Sequence, residues 1–237
     1  MWRFHLPALL TCWLACWLGA TTASLAEDSS QPAPRKTVLV LGDSLAAGYG
    51  LEPDEAFPAL LQHKIDAAGL NFQIVNAGQS GDTSAGGLRR INWLLRQPVD
   101  VLLLELGGND GLRGISPAAT RTNLQQIIER TRERNPSVKF VIAGMRMPNN
   151  MGEQFTREFE QVFTGLAREN DASLIPFLLA GVGGDPKLNL PDLIHPNAEG
   201  HRIVARNVWQ VLEPVLRAPP QSATLTDLSS KEDAVGP

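Results

Sequence analysis

Five short runs made mostly of Val, Ile and Leu, at 37–42, 72–77, 100–106, 139–144 and 173–178, constrain the fold of this chain more than any other feature. Each has the length of a strand, and near-continuous apolarity, in place of alternation, marks parallel strands covered on both faces. The segments between them, roughly 12 to 18 residues each, have the helical period and length that crossover connections need. The pattern predicts an α/β fold: a three-layer α/β/α sandwich with a five-stranded parallel sheet, flavodoxin-like in class, over residues 36–217. Sheets of this kind bind ligands beyond the carboxyl ends of their strands.

Local punctuation agrees. Ser116 is placed to cap a helix from Pro117 to Arg134, which Asn135 and Pro136 end, with Leu124, Ile127, Ile128 and Thr131 facing the core. A last helix is expected from Pro196 to about Leu216, with Ile203, Val204, Val208, Val211 and Leu212 inward. No internal repeat interrupts the series.

The ends read differently. Arg3, an apolar stretch from Leu6 to Ala20 and the small residues before Glu27 form the pattern of a secretory signal peptide over 1–26. The stretch is too short, and too broken by Pro7, for a spanning helix of about 20 apolar residues, so no stable membrane anchor is expected. Export to the periplasm or beyond follows. Cys12 and Cys16 both lie in that segment, so the mature chain would carry neither a disulfide nor a cysteine metal site. Losing Arg3 and no acid takes the formal net charge from −4 to −5, which gives nucleic acid no basic surface to bind. Residues 27–35 read as a flexible linker and 218–237 as a disordered tail.

Four loops follow strands at the sheet edge where ligands bind. The first carries Ser44 in GDSLAAGYG, the second Gly78 in NAGQSGDTSAGG, the third Asn109 in GGNDGLRG, and the approach to the last helix reads DLIHPN. Asp192 and His195, three residues apart on a turn, fall on one side, so the carboxylate can accept from the imidazole and leave its other nitrogen free. Such a pair is a general base for a serine hydroxyl. Attack on an ester carbonyl also needs donors for the oxyanion, and the N–H groups of Ser44 and Gly78 with the Asn109 amide are candidates.

Ser44 in GDSL, Gly78, Asn109 in GGND and His195 in DLIHP together resemble the four signature blocks of the SGNH (GDSL-type) hydrolases. Within that family the chain is most similar to the exported bacterial group with thioesterase I, lysophospholipase and arylesterase activities. The resemblance implies Ser44 as nucleophile, His195 as base, Asp192 as orienting acid, and Ser44, Gly78 and Asn109 as oxyanion hole. It also implies a small acyl ester or thioester substrate, with lysophospholipid as a further candidate, and a monomer needing no cofactor or metal.

Other readings stand beside these. Ser44 alone would serve as a helix N-cap, and Asp43 reads as a structural turn acid. His63 and His201 read as solvated surface residues. Met145, Met147 and Met151 are either core filling or a soft wall for an acyl chain, and Phe155, Phe159 and Phe163 suit one helix face. The loop 181–191 either closes over substrate or only carries the chain. An α/β-hydrolase would place strands before its nucleophile elbow, and a nucleotide binder would show a phosphate loop; neither fits. The remaining alternative is a non-catalytic acyl-lipid-binding protein on the same fold.

Overall fold

The computed structural model describes residues 34–219, so the signal-peptide reading, most of the 27–35 linker and the tail from 220 onward lie outside the described residues. The elements run β1 (Lys36–Gly42), α1 (Ser44–Ala47), α2 (Phe57–Ala67), β2 (Phe72–Gly78), α3 (Ser84–Leu94), β3 (Val101–Glu105), α4 (Gly108–Leu112), α5 (Pro117–Arg134), β4 (Lys139–Ala143), α6 (Glu153–Glu169), β5 (Ser173–Ile175) and α7 (Ala198–Arg217). All strand pairs are parallel, in the order β2-β1-β3-β4-β5. The chain moves outward from β1 to β2 and then crosses back to β3. This reversal makes the ends of β1 and β3 the switch point at which such sheets open a crevice. Gly42 lies in register with Gly78 on one side and Glu105 on the other, so the loops after all three strands begin at one level.

Helices cover both faces, α2 packing on α7 and α5 packing between α3 and α6. The central strands form the core: Val38–Leu41, Val101–Leu104 and Phe140–Ala143 are all buried. Each such side chain stabilises the fold by about 1.5–3 kcal/mol relative to exposure. The helix over Pro117–Arg134 has the expected bounds, with the Ser116 side chain accepting from Ala119 N–H and the predicted stripe buried. Along α6 the Phe155 ring stacks on Phe159, which meets Phe163 edge to face, the latter two rings fully buried.

Four expectations are corrected. β2 is not covered on both faces: it is an edge strand of mixed burial, with Val75 exposed, because only β1 pairs with it. β5 stops at Ile175, since Pro176 has no N–H to continue the ladder. The last helix starts at Ala198 with Asn197 as cap, and Pro196 instead bridges to Asn189. His201 is not solvated but buried. Ala56 gives α2 no side-chain cap, and His201 Nδ1 supplies the missing acceptor to Phe57 N–H at 3.0 Å across 144 residues of chain. Burial pushes this imidazole down to about 4, with the charge on His195 acting the same way.

Candidate active site

The β1 strand ends at Gly42, and the next residue, not Ser44, caps the short helix that follows. Asp43 Oδ1 accepts the Leu45 N–H at 3.0 Å, which leaves Ser44 at the first helical position with its hydroxyl uncommitted to capping. Gly48 ends α1 in the left-handed region, φ 73°, where a side chain would be strained. Ser44 Oγ then lies 2.9 Å from His195 Nε2, and His195 Nδ1 lies 2.7 Å from Asp192 Oδ2.

The turn carrying this pair is held from several sides. Asp192 Oδ1 accepts the N–H groups of Ile194 at 2.9 Å and His195 at 3.0 Å, so the acid builds the turn that presents its own partner. Leu193 between them takes φ 59°, an uncommon conformation for a γ-branched residue, which those two bonds help to maintain. Leu190 N–H donates to the His195 carbonyl at 2.7 Å, and the Tyr49 ring lies 4.5 Å from the imidazole. The backbone N–H of His195 is the main cause that holds the Asp192 carboxyl down at about 2, with the imidazole and Ile194 N–H adding to it. An ionised Asp192 favours hydrogen on Nδ1 and a lone pair on Nε2 facing Ser44.

The three expected oxyanion donors differ in their surroundings. Ser44 N–H opens α1, one of the donors a helix leaves unpaired. Gly78 N–H donates to Asn76 Oδ1 at 2.9 Å, and Asn76 also ties β2 to the Ala46 carbonyl at 2.8 Å. A Cβ on Gly78 would stand 2.3 Å from Ala47 N, so only glycine permits this approach to the Ser44 helix. Asn109 Nδ2 donates to Asp43 Oδ2 at 3.1 Å and to the Asp82 carbonyl at 2.9 Å, beside Ser44. Asp82 in turn is paired with Arg90, whose second nitrogen reaches the Gly42 carbonyl. Burial pushes Asp43 up to about 6, opposed by Leu45 N–H, the Asn109 amide and the charge on His195.

Residues 40–203 match the model of the GDSL-like lipase/acylhydrolase family. The chain belongs to that family. It is 39% identical over 188 residues to esterase TesA of Pseudomonas aeruginosa, covering 79% of this chain and 92% of the relative. It is 36% identical over 217 residues to thioesterase 1/protease 1/lysophospholipase L1 of Escherichia coli, covering 91% and 95%. Among solved structures, that of TesA superposes with a TM-score of 0.73 at 38% identity, covering 76% of this chain and 99% of the other. AlinE4, an SGNH-hydrolase family esterase, gives 0.64 at 41% identity, covering 78% and 98%. This GDSL hydrolase is therefore a serine hydrolase that acts on esters, and the non-catalytic alternative is set aside.

Ser44, Asn109 and His195 of the GDSL hydrolase open onto a cavity of about 480 Å³ with walls from Met145, Met147, Phe177, Leu179, Leu193 and Ile194. Met145 and Met147 are buried in the core and also line this cavity, whereas Met151 is half-buried against the core and is not part of the cavity wall. Gly78 is not among its lining residues. The loop 181–191 contributes Gly183 and Gly184 to the wall and is tied down by Asn189, whose amide donates to the carbonyls of Val182 and Asp185. A larger hollow of about 610 Å³ lies at the start of β4, where Lys139 already donates to two carbonyls and Arg132 to Asn170. Sequence reasoning did not single out Tyr49, Asp82 or Arg90. The only signal for Tyr49 was its position five residues after the serine.

Proposed function

We propose that this hydrolase cleaves carboxylic esters and thioesters of apolar acyl groups by two-step transfer through an acyl-enzyme on Ser44. The observation that carries the reading is the unbroken chain Asp192–His195–Ser44 at the mouth of an apolar cavity. His195 Nε2 takes the Oγ proton as Oγ bonds to the carbonyl carbon, and the carbonyl electron pair moves to oxygen. Ser44 N–H stabilises that oxyanion, joined by the Asn109 amide as one of its two hydrogens leaves the Asp82 carbonyl, and by Gly78 N–H as it turns from Asn76. Collapse expels the alcohol or thiol, which leaves with the proton from His195. Water then attacks the acyl-enzyme with His195 again as base, releasing the acid and restoring Ser44.

Aryl esters, acyl thioesters and lysophospholipids are the proposed substrates, supported by the activities named for the relatives and by the apolar wall. Export through a signal peptide over residues 1–26, and work as a monomer in the periplasm or outside the cell, complete the proposal on the strength of the sequence. Rates on p-nitrophenyl esters of two to sixteen carbons, then on lysophosphatidylcholine and acyl-CoA, test it. Ser44→Ala is expected to abolish all of them while its thermal unfolding matches the parent. Parental turnover by Ser44→Ala would overturn the reading.

A further inference from the structure

Glu105 ends β3, is fully buried, and takes no part in the steps above. Acidic residues are almost never fully buried unless paired. Oε2 accepts the Asp43 N–H at 3.1 Å, and Oε1 has no hydrogen-bond partner among the described residues. The seat is closely fitted, since a Cβ on Gly42 would stand 2.3 Å from Oε2 and 2.5 Å from the Ala46 Cβ. Burial pushes this carboxyl well above the usual carboxylate range, and the Asp43 side chain pushes it the same way by charge and by hydrogen bonding. The neutral acid is the form that suits these surroundings.

From Glu105 a short chain of contacts leads to the oxyanion site. Asp43, held at its N–H by Glu105, accepts the Asn109 amide on Oδ2 and caps α1 through Oδ1. Any displacement of Asp43 would therefore move Asn109 and the start of the Ser44 helix together. A second negative charge here would repel Asp43 and would sit beside the place where the oxyanion develops. A neutral acid avoids both effects and still offers an acceptor and a donor.

We propose that Glu105 is a positioning residue working as a neutral acid, which accepts from the Asp43 N–H and so aligns Asp43 as the acceptor that sets the Asn109 amide. This rests on the reading of Asn109 as an oxyanion donor. The variants Glu105→Met, Glu105→Gln, Asn109→Ala and the double variant Glu105→Met/Asn109→Ala test it, with kcat and KM measured on p-nitrophenyl butyrate and folding followed by thermal unfolding. Glu105→Met should lower kcat by about 10- to 100-fold with KM nearly unchanged, as loss of alignment at an oxyanion donor does. Glu105→Gln, which keeps one acceptor and one donor without charge, should restore kcat to within about threefold of the parent.

Once Asn109 is alanine, Glu105→Met should cost less than it does in the parent, because one of the two elements that Asp43 holds is gone and only the start of the Ser44 helix is left to disturb. Two results overturn the proposal: a Gln variant as slow as the Met variant, or losses at Glu105 and Asn109 that multiply. If Glu105→Met does not fold, the Gln variant still decides, since a parental kcat supports the neutral acid and a collapsed one refutes it. Failure of the Asn109 reading is distinguishable, because Asn109→Ala alone would then run at the parental rate.

Discussion

Replacing Asp192 with asparagine changes one atom and should nearly stop the enzyme. Oδ1 of Asp192 carries the N–H groups of Ile194 and His195, while Oδ2 faces His195 Nδ1 at 2.7 Å. In Asp192→Asn the amide oxygen keeps the two backbone donors, so its nitrogen must face Nδ1. Two donors cannot share that contact, and the imidazole hydrogen moves to Nε2, 2.9 Å from Ser44 Oγ. The base is then blocked on the side where it must accept.

Flipping the amide back would free the base but set its NH2 against two backbone N–H groups, losing two hydrogen bonds and adding repulsion, about 3–5 kcal/mol in all. That corresponds to a kcat lower by roughly a hundred- to several-thousandfold. KM should stay within about threefold, because Asp192 does not line the cavity beside Ser44. Steady-state rates on p-nitrophenyl butyrate, with stopped-flow detection of the first turnover, measure both values, and thermal unfolding checks that the turn survives. A variant within about tenfold of the parent would refute the tautomer argument.

Two further outcomes follow from buried contacts. His201 has a folded pKa of about 4 against an ordinary 6.5, so between those values the unfolded chain binds more protons and stability falls as pH drops. His201→Asn, which keeps an acceptor for Phe57 N–H, should remove about 3 kcal/mol of that acid loss, read by urea unfolding from pH 7 to pH 4; an unchanged acid slope would contradict it. Gly111 lies against Met147, and a Cβ there would stand 2.1 Å from its sulfur, so Gly111→Ala must push the thioether toward the cavity. At about 0.8 kcal/mol per methylene, losing room for two should lower the octanoate-to-acetate ratio of kcat/KM by about tenfold, and an unchanged ratio would remove Met147 as a limit on chain length.

The strands and the four loop blocks were legible because each rests on local signals: runs of Val, Ile and Leu, a capping serine before Pro117, and an acid three residues before an imidazole. What stayed hidden depends on contacts distant in sequence. His201 reads as a surface residue until α7 packs on α2 and an uncapped Phe57 N–H needs an acceptor. β2 reads as a buried strand until the sheet order makes it an edge. The donors at Gly78 and Asn109 were named, but their resting partners Asn76, Asp43 and Asp82 appear only when β1, β2 and β3 end at one level. Ser44 itself was ambiguous between cap and nucleophile, and the Asp43 side chain decides who caps.

The most direct measurement of the central claim is covalent capture of the nucleophile. The protein would be treated with a p-nitrophenyl alkylphosphonate, which leaves a stable tetrahedral adduct on an activated serine, and the modified peptide identified by mass spectrometry. The account predicts one adduct per chain, on Ser44, formed in step with loss of esterase activity and absent from Ser44→Ala and strongly slowed in Asp192→Asn. A label on another residue, or full loss of activity with Ser44 unmodified, would contradict it.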